Sequence, residues 1–157
     1  MKKPVFVSAQ DAAAMIGDGK TVATIGMTLV SASETILKAI EKRFLETGSP
    51  NQLTLVHSCG QSDRDRGIQH FSHDGMLKCI IGGHWGLQPR MMKMIAENKM
   101  LAYCLPQGQF AQLYRSMAGG EPGKITKVGL GTFIDPRLGG GKMNEITPAE
   151  IIQWQNT

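Results

Sequence analysis

The sequence predicts an α/β fold, an open, mostly parallel sheet with helices on both faces. Three observations carry that expectation. Short β-branched runs recur along the 157 residues, stretches of helical periodicity separate them, and many of the 19 glycines fall in the loops that follow the runs.

Asp11 to Ile16 is a short helical pattern stopped at Gly17-Asp18-Gly19, a turn that uses glycine's freedom in φ. Thr21-Val-Ala-Thr-Ile25 is rich in β-branched residues and reads as a buried strand ending at Gly26. Ser31-Ala-Ser-Glu34 has the spacing of a capping box and predicts a helix running to about Glu46. Ile36, Leu37, Ile40 and Phe44 fall at three- and four-residue steps, so one face of that helix is buried. Thr47-Gly-Ser-Pro-Asn51 closes the unit, and Leu53 to Val56 is the next strand, completing β-α-β.

The pattern then repeats more loosely. Cys79 to Ile81 reads as a strand, Pro89 to Glu97 as a helix and Leu101 to Leu105 as a strand. A helix from Phe110 to Met117, ended by Gly119-Gly120 and Pro122, and a strand from Ile125 to Val128 follow. The crossovers should be right-handed. Residues 1–140 form the expected domain and residues 141–157 a tail or short helix. Ligands of such sheets lie off the carboxyl ends of the strands, here the loops after Ile25, Val56, Ile81, Leu105 and Val128.

Composition narrows the function classes. The formal charge is +4 and the isoelectric point about 9.1, yet no run of five basic residues exists and aromatics are 6%, which disfavours nucleic acid. The same excess suits an anionic small ligand. No apolar stretch reaches the roughly 18 residues of a membrane span, and the amino terminus lacks a secretory apolar core, so a cytoplasmic protein is expected. Cys59, Cys79 and Cys104 are odd in number and form no CxxC pair, which predicts reduced, mostly buried thiols.

Several chemical constellations are incomplete. His57, His70, His73 and His84 cluster in sequence, but no HExxH or cysteine-histidine set accompanies them, so no metal is expected. Cys59 follows His57 and Ser58 at the rim, yet no third group orients a nucleophilic pair. Neither GxGxxG nor GxxxxGK[ST] occurs at a strand-to-helix turn, which disfavours nucleotide hydrolysis. The methionines around Met91 to Met94 sit at helical positions and read as packing.

A joint set of motifs is more specific. Asp18-Gly-Lys-Thr-Val-Ala-Thr24, Ile81-Gly-Gly-His-Trp-Gly86, Leu105-Pro-Gln-Gly108 and the run from Thr126 to Pro136, in this order, resemble the amino-terminal half of family I coenzyme A transferases. The likeness spans about Asp11 to Asn144 and is greatest to the acetate or propionate type that fuses both halves in one chain. It implies a truncated version of the CoA-transferase-like fold.

The resemblance also implies a reaction: transfer of CoA from an acyl-CoA to a short-chain carboxylate, as in short-chain fatty acid and ketone body metabolism, through a glutamyl-CoA thioester. Coenzyme A is then a substrate, and no permanently bound cofactor is implied. Gln107 matches the family's glutamine that points an amide at the thioester oxygen; its plain alternative is a turn residue between Pro106 and Gly108. Ser58, Cys59 and Gly60 match the loop that contacts the carboxylate, without the asparagines of some relatives, and Gly82, Gly83 and Gly108 fall at the rim. Gly26 stands where the family carries Gly-Gly-Phe, but Met27 follows it here.

The family's nucleophilic glutamate lies in the carboxyl-terminal half, and Glu121, in Gly120-Glu-Pro-Gly123, has the wrong surroundings for it. The expected partners are therefore an acyl-CoA, a carboxylate, and the missing half or a second subunit, in a homo-oligomer. The isolated chain is expected to be inactive. The alternative is a non-catalytic acyl-CoA or carboxylate-binding module; a sugar-phosphate isomerase would rest on fold analogy alone.

Overall fold

The computed structural model describes residues 4–149. Four strands, β1 (Thr21–Thr24), β2 (Leu53–His57), β3 (Leu77–Gly82) and β4 (Leu101–Cys104), form one sheet in the order β1-β2-β3-β4, and every neighbouring pair is parallel. Helices α1 (Ala9–Ala14), α2 (Glu34–Thr47), α3 (Pro89–Ala96) and α4 (Gln107–Ala118) alternate with the strands, and a 3-10 helix, Gly67–Phe71, lies between β2 and β3. The open parallel α/β sheet expected from the alternation is present.

Its core follows from the spacing of apolar residues. Val22, Leu55, Ile80 and Ala102 share one row of the register. They join a cluster with Leu37 and Ile40 of α2, Ile68 and Phe71 of the 3-10 helix, and Met91 and Ile95 of α3. Met91 and Met94 are buried while Met92 is exposed, so the methionines do pack from one helical face. Pro89 opens α3 in its first turn, where its missing N–H removes no helical bond.

The start of α2 corrects the capping-box expectation. Its N-cap is Ser33, which makes no side-chain cap, and Ser31 sits in the left-handed region at φ 63°. Distant partners have taken Glu34 instead: its carboxylate accepts from the Gly67 N–H at 2.9 Å and lies 2.9 Å from His70 Nε2. Glu41 continues the chain, 2.5 Å from His70 Nδ1 and 2.7 Å from His73 Nε2. These carboxylate–imidazole contacts fasten the 3-10 helix to α2. Arg43 fastens α2 to the end of α1 by donating to the carbonyls of Ala13 and Ile16 at 2.8 and 2.7 Å.

Two later expectations also change. Helix α4 begins at Gln107, three residues before Phe110, because Pro106 serves as its N-cap. No strand forms at Ile125–Val128, where Ile125 is 91% exposed. The free edge of β4 is already occupied: Cys104 N–H donates to Gly141 O at 2.7 Å, Met143 N–H donates to Ala102 O at 2.9 Å, and Lys142 makes an antiparallel bridge with Tyr103. Propensity without an edge to join does not make a strand. Thr147 Oγ1 accepts from Ala102 N–H, and Asn144 donates to Ile95 O and Met100 O, so residues 141–148 run along the sheet. The remainder of the expected tail, residues 150–157, lies outside the described residues. No helix among the described residues is long and apolar enough to cross a membrane.

Truncating the fully buried Leu55 to Ala should cost about 2–5 kcal/mol of stability, read from the midpoint and slope of urea unfolding. The carboxylate–imidazole chain generates a second expectation. Burial opposes ionisation of Glu41, but hydrogen bonds from His73 and His70 outweigh it and hold the carboxyl below its ordinary 4.5; the same balance, with His70 and Gly67 as donors, holds Glu34 down. A depressed folded value gives stability above pH 4.5 that disappears as pH falls through that value. Glu41→Gln should therefore give a shallower acid limb in a plot of unfolding free energy against pH, and an unchanged limb would show that the contacts contribute nothing.

Candidate functional site at the carboxyl ends of the strands

Parallel pairing brings the four strand ends to one edge. Thr24, His57, Gly82 and Cys104 lie side by side in the register, and the chain leaves each strand there into a loop or helix. The predicted site residues occupy these exits. The loop after β1 reaches the loop after β2 through the Thr28 N–H, which donates to Gly60 O at 3.0 Å. Gly26, half-buried at φ 148°, starts that first loop, and a Cβ there would lie 2.8 Å from Val30 O.

The centre of the edge is built by two glycines. At Gly83 a Cβ would stand 2.5 Å from Ser58 O and 3.0 Å from the Gln107 Cβ, so the loops after β2 and β3 and the start of α4 meet there. At Gly82 it would stand 2.1 Å from His57 Nε2; the histidine ring fills the volume any other residue would need. The Leu105 N–H donates to Gly82 O at 3.0 Å and fixes the approach to α4.

Gln107 is the first residue of α4, and its side chain is exposed at this edge rather than packed away. Gly108, also exposed, has nothing within 4 Å of where a Cβ would be, leaving the amino end of the helix bare. That end has no side-chain cap, so its first N–H groups and the helix dipole favour negative charge. The edge thus joins an exposed neutral amide to a helix terminus suited to an anionic oxygen.

His57 lies beneath this surface with no exposure. Its Nδ1 is 2.7 Å from Cys59 O, and Trp85 Nε1–H donates to its Nε2 at 2.9 Å. Burial is the main cause that pushes its pKa down to about 4, against the hydrogen bond to Cys59 O; the charge of His84 adds to the lowering. The ring is committed to a backbone carbonyl, not to the Cys59 thiol, so His57 and Cys59 do not form a nucleophile–base pair. Cys59 is half-buried; Cys79 is buried, and burial raises its thiol to about 11. Among the described residues no group of three or more histidine, cysteine, aspartate or glutamate side chains is arranged to hold a metal.

Sequence reasoning weighed His57 only as a metal ligand or a base and gave Trp85 no role of its own, so it missed their contact beneath this edge. A usable signal existed: a histidine ending one strand, a Gly-Gly pair ending the next, and an indole two residues later. Two surface depressions lie elsewhere; one, lined by Asn51, Gln52, Asp74 and Gly75, is at the opposite ends of β2 and β3.

The family described as Coenzyme A transferase matches residues 6–152. The chain belongs to that family. It is 42% identical over 149 residues to a caffeate CoA-transferase of Acetobacterium woodii, covering 94% of this chain and 28% of the relative. Against the acetate CoA-transferase YdiF of Escherichia coli K12 the identity is 37%, with the same 94% and 28% coverage. A crystal structure of the acyl-CoA transferase YdiF from Escherichia coli O157:H7, a thioester complex with CoA, superposes with a TM-score of 0.88 at 36% identity, over 96% of this chain and 30% of that one. The chain therefore spans less than a third of the length of these transferases.

Gly82→Ala tests the packing of this edge. The added methyl must displace the His57 ring, so a loss of about 1–3 kcal/mol is expected in chemical unfolding. Trp85 emission should shift as well, measured in a Trp154→Phe background; a variant with parental stability and emission would contradict the close approach.

Proposed function

We propose that this chain is the amino-terminal portion of a CoA-transferase that moves CoA from an acyl-CoA to a short-chain carboxylate, with the nucleophilic glutamate supplied from outside these 157 residues. The observation that carries the proposal is Gln107, exposed at the start of α4 and adjoining Gly83 and the Ser58–Gly60 loop.

The chemistry follows from the groups. A glutamate carboxylate attacks the thioester carbonyl, expelling CoA thiolate and leaving an acyl-glutamyl anhydride. The thiolate then attacks the glutamyl carbonyl, releasing the first acid and forming glutamyl-CoA; the second acid reverses both steps. A carboxylate is a weak nucleophile, so the oxygen that becomes negative must meet donors already in place. The Gln107 amide donates a hydrogen bond without competing for a proton or the acyl group. The bare amino end of α4 adds favourable potential for the same oxygen. Ser58, Cys59 and Gly60 contact the carboxylate, Gly82 and Gly83 give the loops room to close around it, Gly108 keeps the helix end accessible, and Gly26 shapes the outer loop.

CoA exchange between acetyl-CoA and propionate tests the proposal, with this chain alone and with the remaining half of the transferase supplied. Turnover is expected only in the combination. Gln107→Ala should lower kcat by about 10²–10³-fold there. Robust turnover by the pure chain, or a Gln107→Ala variant as fast as its parent, would overturn this assignment.

A further inference from the structure

Charge is unevenly distributed around the carboxyl ends of the strands. Charged residues make up 19% of the chain, yet the connections 25–33, 83–88 and 105–106 contain no aspartate, glutamate, lysine or arginine. The connection after β2 does hold charge, at Asp63 to Arg66, beyond the fully buried Gln61 and Ser62. Much of it is spent locally: the Arg66 guanidinium donates to the Asp63 carboxylate at 2.6 Å, and Arg90 of α3 donates to Asp65 O at 3.1 Å. His84 is therefore the one side chain of the three charge-free connections that can become a cation.

Its mounting is specific. His84 is exposed, while Trp85 beside it is buried. A Cβ at Gly60 would stand 2.7 Å from His84 Nδ1, and one at Gly86 would stand 3.0 Å from Cε1 and Nε2, so two residues without side chains make room for the ring. The backbone is held on both sides of it. Gly83 is packed against Ser58 O and Gln107, Trp85 donates to His57, and Trp85 O accepts from the Gln88 N–H at 2.8 Å. Among the described residues no hydrogen bond or ion pair engages the imidazole. The ring thus reaches solvent from a fixed backbone with neither nitrogen committed, beside the Ser58–Gly60 loop and one residue from the glycine that adjoins Gln107.

We infer that His84 is a substrate-binding residue that donates a ring N–H to the carboxylate of the acid that accepts CoA. The inference rests on the transferase reading for the identity of that anion, but not for the placement of the ring. A carboxylate brought to this edge loses water and needs a donor or a counter-charge in return. Gln107 is neutral and is assigned to the thioester oxygen, so the two anionic oxygens fall to different side chains. A donor that can carry charge binds a carboxylate more strongly than a neutral one.

Two-substrate kinetics of the reconstituted exchange tests this role. His84→Ala should raise KM for propionate about tenfold, the loss of one hydrogen bond to a charged group, while kcat and KM for acetyl-CoA stay within about twofold. Imidazole added to His84→Gly should restore the KM for propionate, which it would not do for a collapsed loop. Arg64→Ala removes the cation of residues 63–66 whose side chain has no partner among the described residues, and should leave that KM unchanged. A propionate KM indifferent to His84→Ala, a rise confined to acetyl-CoA, an increase that imidazole does not reverse, or a rise produced by Arg64→Ala instead would overturn the inference. Nitrogen-15 NMR of the unmodified 157-residue chain needs neither variant nor turnover: the His84 ring resonances should move with added propionate and stay in place with propionamide. Resonances indifferent to propionate would sink the carboxylate site even if exchange proceeds. With no exchange by the parent combination, the transferase reading fails, while the titration still decides whether His84 binds a carboxylate.

Discussion

Everything at the candidate site depends on one row of strand register, Thr24–His57–Gly82–Cys104. Parallel pairing aligns these residues where the chain leaves the sheet, so each following loop starts from a defined point. The row also sets which side chains can share space. His57 can occupy its buried place only because its neighbour in the row is glycine, and that occupancy links the loop after β2 to the loop after β3 through Cys59 and Trp85. A slip of one residue would send the ring to the other face of the sheet.

The scaffold beneath the row is held by two kinds of contact. Apolar burial among Leu55, Ile80, Ile40 and Met91 supplies a non-directional drive to collapse, while the ties from Arg43, Glu34 and Glu41 fix which helix lies against which loop. Gln107 and Gly108 stand at a helix end whose direction follows from Pro106 and the Leu105–Gly82 hydrogen bond.

Much of this was legible in the sequence, for local reasons. A β-branched run ending at glycine located β1, short apolar runs alternating with helical stretches located β2, β3 and β4 to within a few residues, and the apolar spacing of Ile36, Leu37, Ile40 and Phe44 located α2. The predicted residues Ser58, Cys59, Gly60, Gly82, Gly83, Gln107 and Gly108 gather on one edge, because strand ends in a parallel sheet must. What failed depended on distant partners. Glu34 looked like half of a capping box but belongs to Gly67 and His70, and Ile125–Val128 has strand propensity while the β4 edge is taken by residues 141–143. His57 was weighed as a metal ligand or a base, two roles that sequence clustering suggests; its actual partners are a carbonyl two residues away and an indole 28 residues on.

The antiparallel pairing of Gly141 to Met143 with β4 also determines how the sheet can grow. That border is sealed, so among the described residues β1 is the side on which an additional strand could be accommodated. Any strand added to the sheet would therefore have to pair along a four-residue margin, Thr21 to Thr24, whose last carbonyl already accepts from the Tyr114 hydroxyl.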